Sequence, residues 1–161
     1  MMSRSKYDLA LDIVRDVFKD KVDLAGQPYI GHLKRVAENV KKYRYFAAIQ
    51  ELDVYCIVGL LHDLIEDCPE WDVRHVGAIF MDPAICEALK LLTKPVPSAD
   101  TYEDYIDHIS KNDVARAVKL ADLADNMDLT RLPDELTEKD IKRIKKYHKA
   151  YCFLKQVNNK Q

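Results

Sequence analysis

The segment from Glu51 to Asp67 constrains the rest of the chain most. Val54, Tyr55, Cys56, Ile57, Val58, Leu60 and Leu61 are apolar nearly all round a 3.6-residue helical period. A helix without a polar face belongs at the centre of a fold, surrounded by other elements. Its C-terminal end then turns polar at His62, Asp63, Glu66 and Asp67, before Cys68-Pro69 stops it. On one continuous helix these four positions cover roughly 140° of arc, with His62 over Glu66 and Asp63 over Asp67. Burying carboxylates there costs on the order of several kcal/mol each unless a cation or dense hydrogen bonding compensates them.

The surrounding segments read as further helices. Tyr7, Ala10, Leu11, Val14, Val17 and Phe18 recur at three- and four-residue steps, as on a helix with one buried face. Ala25-Gly26-Gln27-Pro28 is a turn signal, followed by a helix from about Tyr29 to Tyr45 with His32 in its first turn. Trp71 to Phe80 suggests a short helix, and Asp82-Pro83 opens another with proline at the first helical position. The stretch Thr93 to Thr101, with Pro95 and Pro97, is the candidate for a mobile loop over a site. A short helix is expected from Tyr102 to Ser110 and a long one from Asn112 or Asp113 to about Leu132. After Pro133 a last helix starts at Thr137, capped with Asp140 three residues on, and carries an Ile141, Ile144, Tyr147 or His148, Tyr151 and Leu154 stripe.

At 161 residues with 48% apolar content the chain is sized for one domain spanning 1–161, without repeats or a linker. Four Gly and six Pro are too few for the tight turns of an all-β fold, so the expectation is all-α, about eight helices. The formal charge of −2 supplies no positive field for a nucleic-acid backbone, which makes nucleic acid an unsuitable main partner. Cys56, Cys68, Cys86 and Cys152 form no CxxC pair and read as reduced, mostly core residues of a cytoplasmic protein. Charges throughout the N-terminus leave no signal-peptide h-region, and Val54 to Leu61 is too short to span a bilayer, so no membrane partner is expected.

A second polar stripe runs through VKLADLADNMDL. There Lys119, Asp122 and Asn126 fall on one line, flanked by Asp125, in an otherwise core-like helix. The simplest partner for that stripe is the His62 to Asp67 cluster. Taken together, His32, His62, Asp63 and Asp122 offer two imidazoles and two carboxylates from three helices. This mixed set suits one divalent ion such as Mn²⁺, Fe²⁺, Zn²⁺ or Ni²⁺, with Mg²⁺ also open, and argues against a thiolate-bound structural zinc.

These residues carry a family resemblance. AGQPYIGHLKRVA, GLLHDLIED and VKLADLADNM, in that order, resemble the HD superfamily of metal phosphohydrolases, specifically the hydrolase domain of RelA/SpoT-type enzymes and small alarmone hydrolases. TYEDYI, Thr101 to Ile106, resembles a further segment of that group. The resemblance implies an HD-domain helical bundle in which His32, His62, Asp63 and Asp122 bind one divalent ion, usually Mn²⁺. It also implies that Glu66 and Asp67 serve the hydrolytic water and that Asn126 helps hold a small-molecule nucleotide. The implied reaction removes the 3′-pyrophosphate from ppGpp or pppGpp, giving GDP or GTP. Lys21 and Lys119 are the cations expected to meet its phosphates.

The chain departs from the family pattern around the substrate. The basic pair before the first His is reduced to Lys21 followed by Val22, and Asp128-Leu129 replaces the Arg-Thr that often follows Asn-Met. Both changes thin the positive charge expected around a guanosine polyphosphate. Two alternatives stay open: an HD phosphohydrolase of another nucleotide or a phosphorylated dinucleotide cofactor, and a metal- or nucleotide-binding module without turnover. Tyr102 and Tyr105 read as core packing before nucleotide contacts, and Arg131 as surface or phosphate ligand with equal weight. His75, His108 and His148 lack a motif, the lysine run from Lys139 to Lys149 reads as a solvated face, and homo-oligomerisation is left open.

Overall fold

The computed structural model describes residues 4–44, 50–94 and 98–160. Among them the chain forms nine α-helices: α1 Lys6–Val17, α2 Ile30–Asn39, α3 Leu52–Leu61, α4 Leu64–Asp67, α5 Val73–Phe80, α6 Pro83–Leu92, α7 Tyr102–Ser110, α8 Asp113–Asn126 and α9 Glu138–Asn159. Two 3₁₀ turns, Val40–Lys42 and Leu129–Arg131, and one isolated antiparallel bridge between Val22 and Pro28 complete the regular structure.

The apolar sequence of α3 places it where expected. Tyr55 and Ile57 through Leu61 are buried, and the helix packs against α1, α2, α6 and α8. α8 is the second central helix, buried from Val114 through Asp125 apart from Lys119 and Ala124. Gly59 lets α3 approach α2 closely, since a Cβ there would stand 2.8 Å from the Ala37 Cα. Side-chain caps set the helix starts: Ser5, Asp72, Asp82 and Asn112 each accept from a backbone N–H in the first turn, and Thr101 and Thr137 form capping boxes with Asp104 and Asp140.

Several boundaries differ from those the sequence predicts. Residues 62–67 do not continue α3; the helix ends at Leu61, and α4 restarts at Leu64 after Asp63 at φ −99°, ψ −4°. α8 stops at Asn126 rather than near Leu132, because Asp128 bonds Thr130 N and Arg131 returns to the Asp125 carbonyl at 2.8 Å. Such side-chain partners satisfy a helix end and turn the chain away. α2 gives way to the 3₁₀ turn at Val40, and Tyr45 lies outside the described residues. On α9 the expected stripe packs only from Tyr147 onward, with Ile141 left 42% exposed. Pro95 to Pro97 of the expected loop lie outside the described residues. All four cysteines are free thiols, of which only Cys68 is buried.

The loop between α1 and α2 is closed by its own hydrogen bonds. Asp23 N donates to Gln27 O, Tyr29 N donates to Lys21 O, and Gly26 turns the chain at φ +73°. The Asp23 carboxylate accepts from Ala25 N and Gln27 N, so Lys21 and Tyr29 are held side by side at the head of α2.

Candidate active site

α2, the α3–α4 junction and α8 bring the expected ligands together. One atom each from His32, His62 and Asp63 lies within 4.8 Å of the other two. His62 Nε2 stands 3.1 Å from Asp63 Oδ2, and Asp122 Oδ1 lies 3.4 Å from His32 Nε2 and 3.6 Å from His62 Nε2. Both imidazoles are 3% exposed.

The break at His62 has a local cause and a chemical consequence. His62 Nδ1 donates to the Gly59 carbonyl at 2.8 Å, which leaves Nε2 with its lone pair forward. That Nε2 is buried and has no hydrogen-bond partner, which a native interior rarely tolerates. His32 is oriented in the same sense, its Nδ1 donating to Asp125 at 2.7 Å. Two imidazole lone pairs and two carboxylates therefore face one small volume, and this donor set fits a divalent cation.

Electrostatics agree with that geometry. Burial alone would raise the Asp63 pKa, but the charge of the adjacent His62 imidazole and the hydrogen bond from Tyr29 bring it to about 2. Burial likewise opposes ionisation of Asp122, and Lys119 and the two imidazoles outweigh it, holding the carboxyl well below the usual range. Burial pulls His32 and His62 down, yet the carboxylates around them carry both above the ordinary imidazole value. Two further contacts fix the acids: the Tyr29 hydroxyl donates to Asp63 Oδ2 at 2.5 Å, and Asn126 Nδ2 donates to Asp122 Oδ1 at 2.6 Å. Lys119 Nζ meets the other Asp122 oxygen at 2.8 Å.

A cavity of about 370 Å³ opens over this cluster, lined by Asp63, Glu66, Asp67 and Asp122 and by Lys21, Lys94, Lys119 and Lys146. Glu66 and Asp67 differ within it. Lys21 Nζ, held 3.8 Å over the Tyr29 ring, pairs with Asp67 at 2.5 Å. The Glu66 pKa is raised first by partial desolvation of its carboxyl and then by the charge of Asp63. A second cavity of about 270 Å³ adjoins, sharing Lys21, Tyr29 and Asn126 and adding Val22, Leu24, Ala25 and Leu132. Val22 is 59% exposed at its mouth.

Sequence reasoning missed several residues here. Tyr29, Arg35 and Asp125 contribute to the cluster, and a helical step points to each: Tyr29 and Arg35 lie three residues either side of His32, and Asp125 three after Asp122. Arg131 binds Asp23 and Asp125 rather than open solvent. Lys146, from the run read as a solvated face, and Tyr147, from the expected apolar stripe, line the cavity, as do Tyr102 and Tyr105. No sequence period could have found Lys94 or Lys146, since only tertiary packing aims them inward. His75, His108 and His148 stand apart, beside Asp72, Asp100 and Cys152 respectively.

No protein-family model and no curated protein matches the chain by sequence. A solved structure is similar in fold: a metazoan orthologue of SpoT, described as hydrolysing ppGpp and playing a role in starvation responses, superposes with a TM-score of 0.71. The two share the fold. The match spans 96% of this chain and 87% of the other at 21% identity. Thus the all-α expectation holds for the described residues, and none of their helices is long and apolar enough to cross a membrane.

Proposed function

We propose that this protein is a metal-dependent hydrolase that removes the 3′-pyrophosphate from ppGpp and pppGpp, with Mn²⁺ as its ion and the cytoplasm as its setting. One observation carries the reading: the Nε2 lone pairs of His32 and His62 and the carboxylates of Asp63 and Asp122 meet at the floor of a lysine-lined cavity. The shared fold with a ppGpp hydrolase adds support for the substrate class.

In this reading His32, His62, Asp63 and Asp122 hold the ion. When bound, it supplies Lewis acidity, making water more acidic and withdrawing charge from a phosphoryl oxygen. Glu66 is the general base, because its raised pKa makes it a better proton acceptor than an ordinary glutamate. Asp67 is occupied by Lys21 and shapes the wall. Tyr29 and Asn126 keep the two ligating carboxylates in place. Lys94, Lys119 and Lys146 offset the charge of the pyrophosphate, and the adjoining cavity, with its Val22, Leu24 and Leu132 rim, takes the nucleoside.

The test is a Mn²⁺-supplemented panel of ppGpp, pppGpp, common nucleotides and phosphorylated dinucleotide cofactors, with Asp63→Ala as control. Release of pyrophosphate from ppGpp that Asp63→Ala abolishes is expected. Asp63-dependent hydrolysis of another substrate with none of ppGpp would reassign the nucleotide and keep the chemistry. Metal and nucleotide binding without turnover anywhere in the panel would identify a sensor.

A further inference from the structure

Resting on the proposed metal site, we infer that Asp125 is a positioning residue for the ion, acting through His32, and that Arg35 and Arg131 hold it in that role. The two imidazoles reach the same orientation by different means. His62 Nδ1 is bound by a backbone carbonyl of α3, which the fold itself supplies. His32 Nδ1 depends on a side chain, the Oδ2 of Asp125.

That side chain is held from both sides. Arg35 donates from Nε to Oδ1 at 2.7 Å and from Nη2 to Oδ2 at 3.2 Å, and Arg131 donates from Nη2 to Oδ2 at 3.0 Å. Asp23 closes the ring, 3.1 Å from Arg131 and 3.7 Å from Arg35. The Asp125 side chain is only 5% exposed. A guanidinium stays charged at any accessible pH, so two of them keep Asp125 ionised and able only to accept. A neutral His32 must then keep its proton on Nδ1 and turn the Nε2 lone pair to the cluster. Burying the Asp125 carboxylate among partly buried charges is costly, and α2 and α8, which pack against each other beside the common apolar core, do not need it to be held together. A carboxylate behind a ligating imidazole fixes its tautomer and raises its basicity, and losing such a partner weakens metal affinity roughly 10–100-fold.

The experiment titrates Mn²⁺ alone into the full chain, following free Mn²⁺ by electron paramagnetic resonance. Asp125→Asn and Asp125→Ala are expected to raise the Mn²⁺ Kd roughly 10–100-fold, and turnover at saturating Mn²⁺ to recover. Arg35→Gln, which leaves Asp125 in place, is expected to shift Kd in the same direction by less, and serves if the Asp125 variants do not fold. A folded Asp125→Asn protein with wild-type Mn²⁺ affinity and a lowered Tm would overturn the inference and leave a structural role. Wild-type protein that takes up no Mn²⁺ would overturn this inference together with the metal site. Mn²⁺ uptake without hydrolysis of ppGpp would overturn the substrate reading alone, and the Kd comparison would still decide this one.

Discussion

At the scale of single residues, Glu66 separates the roles of the two acids that follow the His-Asp pair. If it is the base, Glu66→Gln should cost roughly 10²–10⁴-fold in kcat while Mn²⁺ affinity stays near wild type. The pH dependence has a definite sign. Glu66 accepts a proton only when ionised, so the rate should climb with pH through its raised pKa, and Glu66→Gln should flatten that limb. Linkage runs the other way for stability: a carboxyl whose folded pKa is raised above its ordinary 4.5 contributes stability below that value and loses it as pH rises through the folded pKa. The Glu66→Gln protein should therefore melt above wild type at pH 7, trading activity for stability. A melting temperature at or below wild type would mean that Glu66 carries no such cost.

Between elements, the decisive contact is α2 on α3. Gly59 serves it twice, by leaving room for Ala37 and by offering its carbonyl to His62. Gly59→Ala forces a Cβ against α2 backbone, not a yielding side-chain tip, so a loss of about 1–3 kcal/mol is expected in urea unfolding. Because α2 carries His32 and α3 leads into His62, the same change should also weaken Mn²⁺ binding; a stability loss with unchanged metal affinity would show the helices move without disturbing the site. α9 supports the substrate side. Lys146 Nζ, 4.7 Å from the Tyr102 ring centroid, reaches the cavity from the helix face that the sequence presents as solvated. Losing one charge-assisted hydrogen bond of about 1.5–3 kcal/mol implies a KM at least roughly tenfold higher in Lys146→Met, with Mn²⁺ affinity retained. These elements also show what was legible in advance. The turn before α2, the apolar girth of α3 and the polar line on α8 are local signals, and they located the stretches that carry the four expected ligands; Asp82-Pro83 and Thr137 marked the starts of α6 and α9 in the same way. The break after Leu61 and the early end of α8 were not legible, because each is set by a side chain bonding back to backbone: His62 to Gly59, Arg131 to Asp125.

Over the whole molecule, the formal charge of −2 says little about the site, where four lysines face four acids in one cavity. With the two imidazoles neutral, such a balanced cavity has no net attraction for a polyphosphate. Adding a divalent cation tips it positive, so nucleotide binding should require metal, and chelation should release both. Protons compete for the same place. The carboxylates hold His32 and His62 above the ordinary imidazole pKa despite burial, so in the metal-free protein their protonated forms contribute stability below about pH 6.5, lost as pH rises through the folded values. The metal-free melting temperature should accordingly fall between pH 6 and 9. Metal binding must displace those protons, so Mn²⁺ affinity should rise over the same window. At a hundredfold excess over Kd the ion adds about 2.7 kcal/mol, or roughly 5–10 °C in a protein of this size, and that increment should grow with pH at fixed Mn²⁺. Melting curves with and without Mn²⁺ at pH 6, 7.5 and 9 read both trends at once. An increment that does not change with pH, or that survives in Asp122→Ala, would place the ion somewhere other than between the two imidazoles.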